Sequence, residues 1–313
     1  MNTIHVRVPG LLTTVQDLGR RGFGPIGVSP SGAADPISLR VGNRLVANEE
    51  SAAGLEMMLL GGTFVFPQGA ALALTGSDFG ATLDDVRVNL GASVQVRPGQ
   101  TLRLGPTTSG ARCYLCVQGG IAVKPFLGSA STHILSGLGG LEGRPLRKGD
   151  VLRIGRGSKR YRGRKVAQRA SENFSRRSVL RVTPGPQVDW FSDSSLRTFY
   201  RSTYRVGEQS NRMGLRLEGA AISQRGAREM ITEGVSLGAI QVPAGGSPII
   251  LFVEQQTTGG YPKIANVISA DLHRVGQIRP RDEIRFEQVT FEAARSLLID
   301  QEKLLASREL IVE

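Results

Sequence analysis

The sequence predicts a mainly β protein built as two tandem β domains, and three observations carry that prediction. Forty glycines and fifteen prolines fall in many short runs, the punctuation of turn-rich β architecture rather than of helical bundles. The stretches between them read as short strands, beginning with Ile4-His5-Val6-Arg7-Val8, which alternates at period two. Finally, Leu146-Arg147-Lys148-Gly149-Asp150-Val151-Leu152-Arg153-Ile154 is echoed by Ile278-Arg279-Pro280-Arg281-Asp282-Glu283-Ile284-Arg285-Phe286. Each is a turn carrying Asp and then an alternating strand, placed as if closing one of two similar halves. A chain of 313 residues with 40% hydrophobic content has the length and core material for two domains.

The elements follow in order. Asp35-Pro36 reads as a helix start, with Asp as cap and Pro at the first helical position. Ile37, Val41 and Leu45 continue it at four-residue spacing, and the helix is expected to end near Asn48. Strands are then expected at Leu55–Leu60, Thr63–Phe66, Ala71–Thr75, Ser93–Arg97, Thr101–Leu104, Tyr114–Val117 and Val151–Ile154. The second half resumes with Val179–Val182, Gly238–Val242, Ile249–Val253, Ala265–Ser269 and Glu283–Phe286. A closing helix over about Phe291–Ser307 carries Ala294, Leu297, Leu298, Leu304 and Leu305. The expected division is an N-terminal domain over 1–155, a basic linker over 156–177 and a C-terminal domain over 178–313.

Between Arg156 and Arg177 nine Lys and Arg face one acid, Glu172, so +8 of the chain's +12 charge sits there. The segment is poor in apolar residues and reads as solvated. Its two aromatics, Tyr161 and Phe174, offer little to stack bases on, which disfavours nucleic acid. Two cysteines argue against a disulfide scaffold. Met1 to Asp17 lacks the apolar core of a signal peptide, and no stretch approaches the roughly 20 apolar residues of a membrane span. A cytoplasmic protein with no membrane partner is expected.

Three familiar catalytic signatures fail. Cys113-Tyr114-Leu115-Cys116 has CxxC spacing, but residues i and i+3 of a strand point to opposite faces, and no second Cys/His pair completes a metal site. Gly234-Val235-Ser236-Leu237-Gly238 matches GxSxG but leads into Ala239-Ile240-Gln241-Val242, a strand, where a nucleophile elbow requires a helix. Gly137–Gly143 does not satisfy GxGxxG, and no GxxxxGK[ST] loop occurs.

Five polar, glycine-punctuated loops remain. They are Thr13–Gly22, Ser29–Asp35, Gln118–Gly120 with Gly128–Thr132, Ser210–Arg216, and Gln256-Thr257-Thr258-Gly259-Gly260-Tyr261-Pro262-Lys263. Together they supply hydroxyls, amides, Arg and Lys, which suit carboxylate, phosphate or lactam oxygens. Lys263, Arg20, Arg212 and Arg216 are candidates to stabilise an oxyanion or phosphoryl group. Asp17 and Asp35 are candidates for a general base or a metal-bound position, although Asp17 better suits a turn and Asp35 a helix cap. Tyr261 is a candidate donor to a carbonyl, or a ring packed on the barrel.

Thr14-Val15-Gln16-Asp17-Leu18-Gly19-Arg20, Ser31-Gly32-Ala33-Ala34-Asp35, Asn43-Arg44-Leu45-Val46, Arg212-Met213-Gly214 and Gln256–Lys263 closely resemble the allophanate hydrolase subunit 2 family. That family, also called KipA-like, includes the C subunit of 5-oxoprolinase and falls within the biotin-dependent carboxyltransferase group. The match runs in order from about Val8 to Ala294. The resemblance implies tandem cyclophilin-like β-barrels and a partner, the subunit 1 protein (KipI-like, the B subunit of 5-oxoprolinase). It further implies ATP-dependent opening of 5-oxoproline, completed by a lactam-utilisation protein (the A subunit of 5-oxoprolinase). The alternatives it carries are a KipA-like regulator that sequesters a kinase inhibitor, and a carboxyltransferase using biotin on a separate carrier. No Met-Lys-Met-type biotin attachment sequence occurs in this chain.

On that basis Lys263, Tyr261, Asp17 and Arg20 are the expected catalytic residues. Gln16, Ser31, Asp35, Ser131, Thr132, Arg212, Arg216, Gln241, Gln256, Thr257, Thr258, Gly259 and Gly260 are expected to bind a small amide substrate. Gln16, Asp17 and Arg20 are expected to face the Gln256–Lys263 loop from the other domain. Three positions depart from the family's pattern: Glu254-Gln255 stand where Asp-Arg is usual, Asn211 where Asp is common, and Arg281 where a turn glycine is common.

Overall fold

The computed structural model describes residues 2–157, 161–167, 178–226 and 228–313. Most of the basic 156–177 segment therefore lies outside the described residues. Two compact units emerge: Met1–Arg20, Ser31–Ser175 and Leu304–Glu313 form the first, and Arg21–Pro30 with Arg176–Lys303 the second. The protein is mainly β, as expected.

In the first unit two sheets enclose one core. The seven-stranded sheet runs Ile121–Ala122, Val151–Ile154, Thr3–Val8, Thr63–Val65, Thr101–Arg103, Thr82–Leu83, Val86–Arg87. The five-stranded sheet runs Leu12–Gln16, Gly54–Met58, Arg112–Val117, Ala70–Gly76, Ser93–Val96. Ile4, Val6, Phe64 and Leu102 of one meet Leu55, Leu72, Cys113 and Leu115 of the other. Helix Pro36–Leu45 covers the outer face of the five-stranded sheet. There Ile37, Leu39 and Leu45 pack with Ala73, Tyr114 and Cys116. Cys113 and Cys116 thus lie on opposite faces of one strand, as the pleat requires.

The helix begins where its sequence says. Asp35 accepts from Ser38 N at 3.0 Å and Ser38 Oγ at 2.6 Å, with Pro36 at the first position. Leu305 and Leu310 complete the helix's apolar cluster, and strand Ile311–Val312 pairs with Lys165–Val166. The described part of the basic segment is therefore anchored rather than solvated: Arg164 Nη1 donates to Arg44 O at 3.1 Å, and Val166 packs on the cluster.

The second unit is a closed barrel in the order Val179–Pro184, Lys263–Val267, Ala239–Gln241, Ile249–Leu251, Gly214–Glu218, Tyr204–Val206, Glu283–Gln288. It closes by parallel pairing of the first strand with the last, Val179 opposite Arg285. Helix Asp193–Arg201, capped by Ser192, puts Phe199 against Phe286 at 4.6 Å between ring centroids.

The echoed nonapeptides form one and the same turn. Arg147 N donates to Asp150 Oδ2 at 2.7 Å, and Arg279 N to Asp282 Oδ2 at 2.7 Å. Val6 N bonds Asp150 O while Gly149 N bonds Val6 O; Val206 N bonds Asp282 O while Arg281 N bonds Val206 O. Arg281 thus occupies Gly149's place, at φ 71° where the glycine has 95°. That left-handed backbone costs a side-chain-bearing residue roughly 1–2 kcal/mol.

Candidate functional site

The predicted residues fall into two clusters, one within each unit. In the first, six of the seven converge on one segment. Asp17 Oδ1 accepts from Gly19 N at 2.7 Å, Ser129 Oγ at 2.6 Å and Ser131 Oγ at 2.5 Å, and Oδ2 accepts from Ala130 N at 2.6 Å. Gln16 Nε2 donates to Thr132 O at 3.1 Å, Ser31 Oγ to the same carbonyl at 2.8 Å, and Thr132 Oγ1 to Val15 O at 3.0 Å. Arg20, 2% exposed, donates to Ser131 O and to Phe126 O and lies 5.7 Å from the Phe126 ring centroid.

The structure corrects three expectations. Asp17 is not placed to act as a base, because its carboxylate is engaged by two amides and two hydroxyls; it ties the 16–20 loop to residues about 114 positions away. Asp35 stands apart as the helix cap. The buried guanidinium of Arg20 is turned onto carbonyls, so it too serves the loop's shape.

The second cluster surrounds Lys263. The amino group is carried on barrel strand Lys263–Val267, and the side chain is 4% exposed. Nζ donates to Glu233 Oε1, and Gln187 Nε2 donates to that same oxygen at 2.9 Å. Gln187 Oε1 in turn accepts from Lys263 N at 3.1 Å. Hydrogen bonds from Lys263, foremost, and from Gln187 hold the Glu233 carboxyl below the usual range.

Glu233 comes from a two-residue strand, Glu233–Gly234, paired with Thr258–Gly259. Other amides extend the cluster: Gln255 Nε2 donates to Val235 O at 3.1 Å, Gln256 Nε2 to Gln241 Oε1 at 3.3 Å, and Gln241 Nε2 to Tyr261 O at 3.5 Å. Gly259 leaves room for this approach, since a side chain there would have to displace the end of Gln241. A Cβ there would lie 2.5 Å from Gln241 Nε2 and 3.2 Å from Val235 Cγ1. Thr257 and Thr258 line a recess of about 590 Å³ shared with Pro25, Gly27, Gly234 and Val235. Tyr261 is 49% exposed, so its ring is not packed on the barrel.

Two predicted residues lie outside this arrangement. Arg212 is buried in a pair with Glu254, an internal role that also explains the glutamate. Arg216 lines another recess, of about 620 Å³, with Arg205, Glu208 and Arg281. Asn211 Oδ1 accepts from Met213 N at 2.8 Å, a turn bond an Asp would make equally well. The sequence reading missed Gln187 and Glu233, which stand 76 and 30 positions from Lys263. A lone Gln and an exposed Glu carry no signal until the barrel brings them together.

A β-barrel unit holding a buried lysine against one carboxylate and several side-chain amides is the setting in which the comparisons fall. The chain belongs to the family of the carboxyltransferase domain, subdomain A and B, whose model matches residues 26–288. Within it, the chain is 41% identical to the 5-oxoprolinase C subunit of Escherichia coli (strain K12), across 94% of both chains. It is 37% identical to the corresponding 5-oxoprolinase protein of Haemophilus influenzae, across 96% of both. The crystal structure of the K. lactis urea amidolyase superposes with a TM-score of 0.90 at 31% identity, covering 99% of this chain and 21% of that one. Among the described residues no helix is long and apolar enough to cross a membrane.

Proposed function

We propose that the chain is the C subunit of an ATP-dependent 5-oxoprolinase, which opens a cyclic amide together with a subunit 1 (KipI-like) partner and a lactam-utilisation protein. The observation that carries this reading is the match to the E. coli C subunit over nearly the full length of both chains. The Lys263 cluster supplies compatible chemistry. Its amides offer donors and acceptors to a lactam, and Lys263 offers fixed positive charge to an oxygen that becomes anionic as the ring opens. ATP, bound here or with the partner, would supply activation of the lactam carbonyl. Thr257, Thr258 and Gln256 would bind and orient the substrate at the recess. The test is 5-oxoproline-dependent ATP hydrolysis by the chain mixed with its subunit 1 partner and the lactam-utilisation protein. Turnover that needs this chain supports the reading; turnover unchanged without it overturns the reading.

A second reading, carboxyl transfer from biotin on a separate carrier, is favoured by the likeness to the K. lactis urea amidolyase. It predicts biotin-dependent carboxylation in a reconstituted mixture and no ATP hydrolysis driven by 5-oxoproline.

A further inference from the structure

Glu233 Oε1 is the point on which two donors from separate elements converge: Lys263 Nζ from the barrel strand and Gln187 Nε2 from the loop before residues 188–190. Two preorganised donors aimed at one oxygen are the geometry of an oxyanion site. The donors and the acceptor differ in how firmly they are held. Lys263 is buried on a barrel strand, and Gln187 is fixed by its bond to the Lys263 amide. Glu233, 46% exposed, rides on a two-residue strand outside the barrel. Its neighbours Thr232 and Gly234 are exposed, and Ile231 is 90% exposed. A segment with so little buried apolar surface opens at low free-energy cost, whereas the barrel strand does not. A buried ammonium with no anion beside it is expensive. Lys263 therefore keeps an acidic oxygen at this point whichever group supplies it.

We propose that Lys263 and Gln187 form an oxyanion-binding site, in which Glu233 is a positioning residue whose carboxylate holds the place taken by a carboxylate or phosphoryl oxygen of the ligand. On the function proposed above, that oxygen belongs to 5-oxoproline or to its activated form; the site itself rests only on the geometry. Ligand entry then exchanges one carboxylate for another on the same two donors, and the Glu233–Gly234 strand is released from Lys263 while the barrel stays fixed.

The experiment is trace acetylation of the full-length chain with acetic anhydride, reading Lys263 against the exposed Lys303 by mass spectrometry. Inorganic phosphate and 5-oxoproline are the protecting probes. Glu233→Ala should raise Lys263 labelling about fivefold, as loss of a half-exposed ion pair implies. Millimolar phosphate should reverse the rise, and adding Gln187→Leu should abolish that protection. Unchanged Lys263 labelling in a folded Glu233→Ala protein, or phosphate protection indifferent to Gln187, would overturn the proposal. Protection by phosphate but not by 5-oxoproline leaves the site standing and counts against the lactam reading alone.

Discussion

Asp17→Ala separates a structural hub from a catalytic base. The carboxylate accepts two backbone amides and two hydroxyls at 2.5–2.7 Å. Hydroxyls can rotate to other acceptors, but the amides of Gly19 and Ala130 cannot. A partly buried amide stripped of its acceptor costs about 1–3 kcal/mol, and a hydrogen bond to a charged group contributes about 1.5–3. The two amides together put the loss at about 3–5 kcal/mol. Asp17→Asn keeps Oδ1 but turns an NH2 toward Ala130 N, so about 2 kcal/mol is expected. With a urea slope of about 2.5 kcal/mol/M, Asp17→Ala moves the first unit's midpoint down by about 1.5 M. The assay is urea unfolding followed by hydrogen exchange of the 129–132 amides, run beside turnover. An unmoved midpoint with turnover abolished would refute the hub and return Asp17 to the role of base.

Lys263→Met keeps the buried stem and removes only the charge, so stability should change by no more than about 1 kcal/mol, because the partner carboxylate is half in water. Turnover of the reconstituted enzyme should fall by about tenfold to 10³-fold, as for loss of one oxyanion donor; near-normal kinetics would remove Lys263 from the site. Arg281→Gly relieves the left-handed backbone and gives up only an exposed pair with Glu208, so thermal unfolding should show a gain of about 0.5–1 kcal/mol. Asp150 is held below the usual carboxylate range, chiefly by the Arg144 fork at 2.8 and 3.0 Å. Its contribution of about 2 kcal/mol is present above the unfolded value near 3.9 and is lost as pH falls through the lower folded value. Asp150→Asn should flatten that acid limb in pH-dependent urea titrations.

Legibility in the sequence followed the physics of each element. Helix Pro36–Leu45 was readable because cap, proline and four-residue spacing agree. The barrel strands Ala239–Gln241 and Ile249–Leu251 were readable as short apolar runs between turns. Leu12–Gln16 was read as part of a polar loop, because Thr13, Thr14 and Gln16 are buried with Val15 and no alternation survives when both faces are covered. Helix Asp193–Arg201 had a signal in Ser192 followed by Leu196 and Phe199, hidden in a serine-rich stretch that resembles a loop. The Gln256–Lys263 run showed the right chemistry. Its partners at 187 and 233 depend on barrel closure, a long-range event that local pattern does not encode. No composition change marks 21–30 or 304–313 as leaving the unit of their neighbours.

The last of those segments bears on how the protein is made. Strand Lys165–Val166 awaits a partner, Ile311–Val312, that is synthesised about 145 residues later, and Leu305 and Leu310 must arrive before helix Pro36–Leu45 is fully covered. At about 5–20 residues per second, that delay is roughly 7–30 s. The half of the protein that leaves the ribosome first is therefore the half that finishes last. During that interval an unpaired strand edge and an apolar helix face wait in the cell, where a chaperone has its best opportunity to engage the chain.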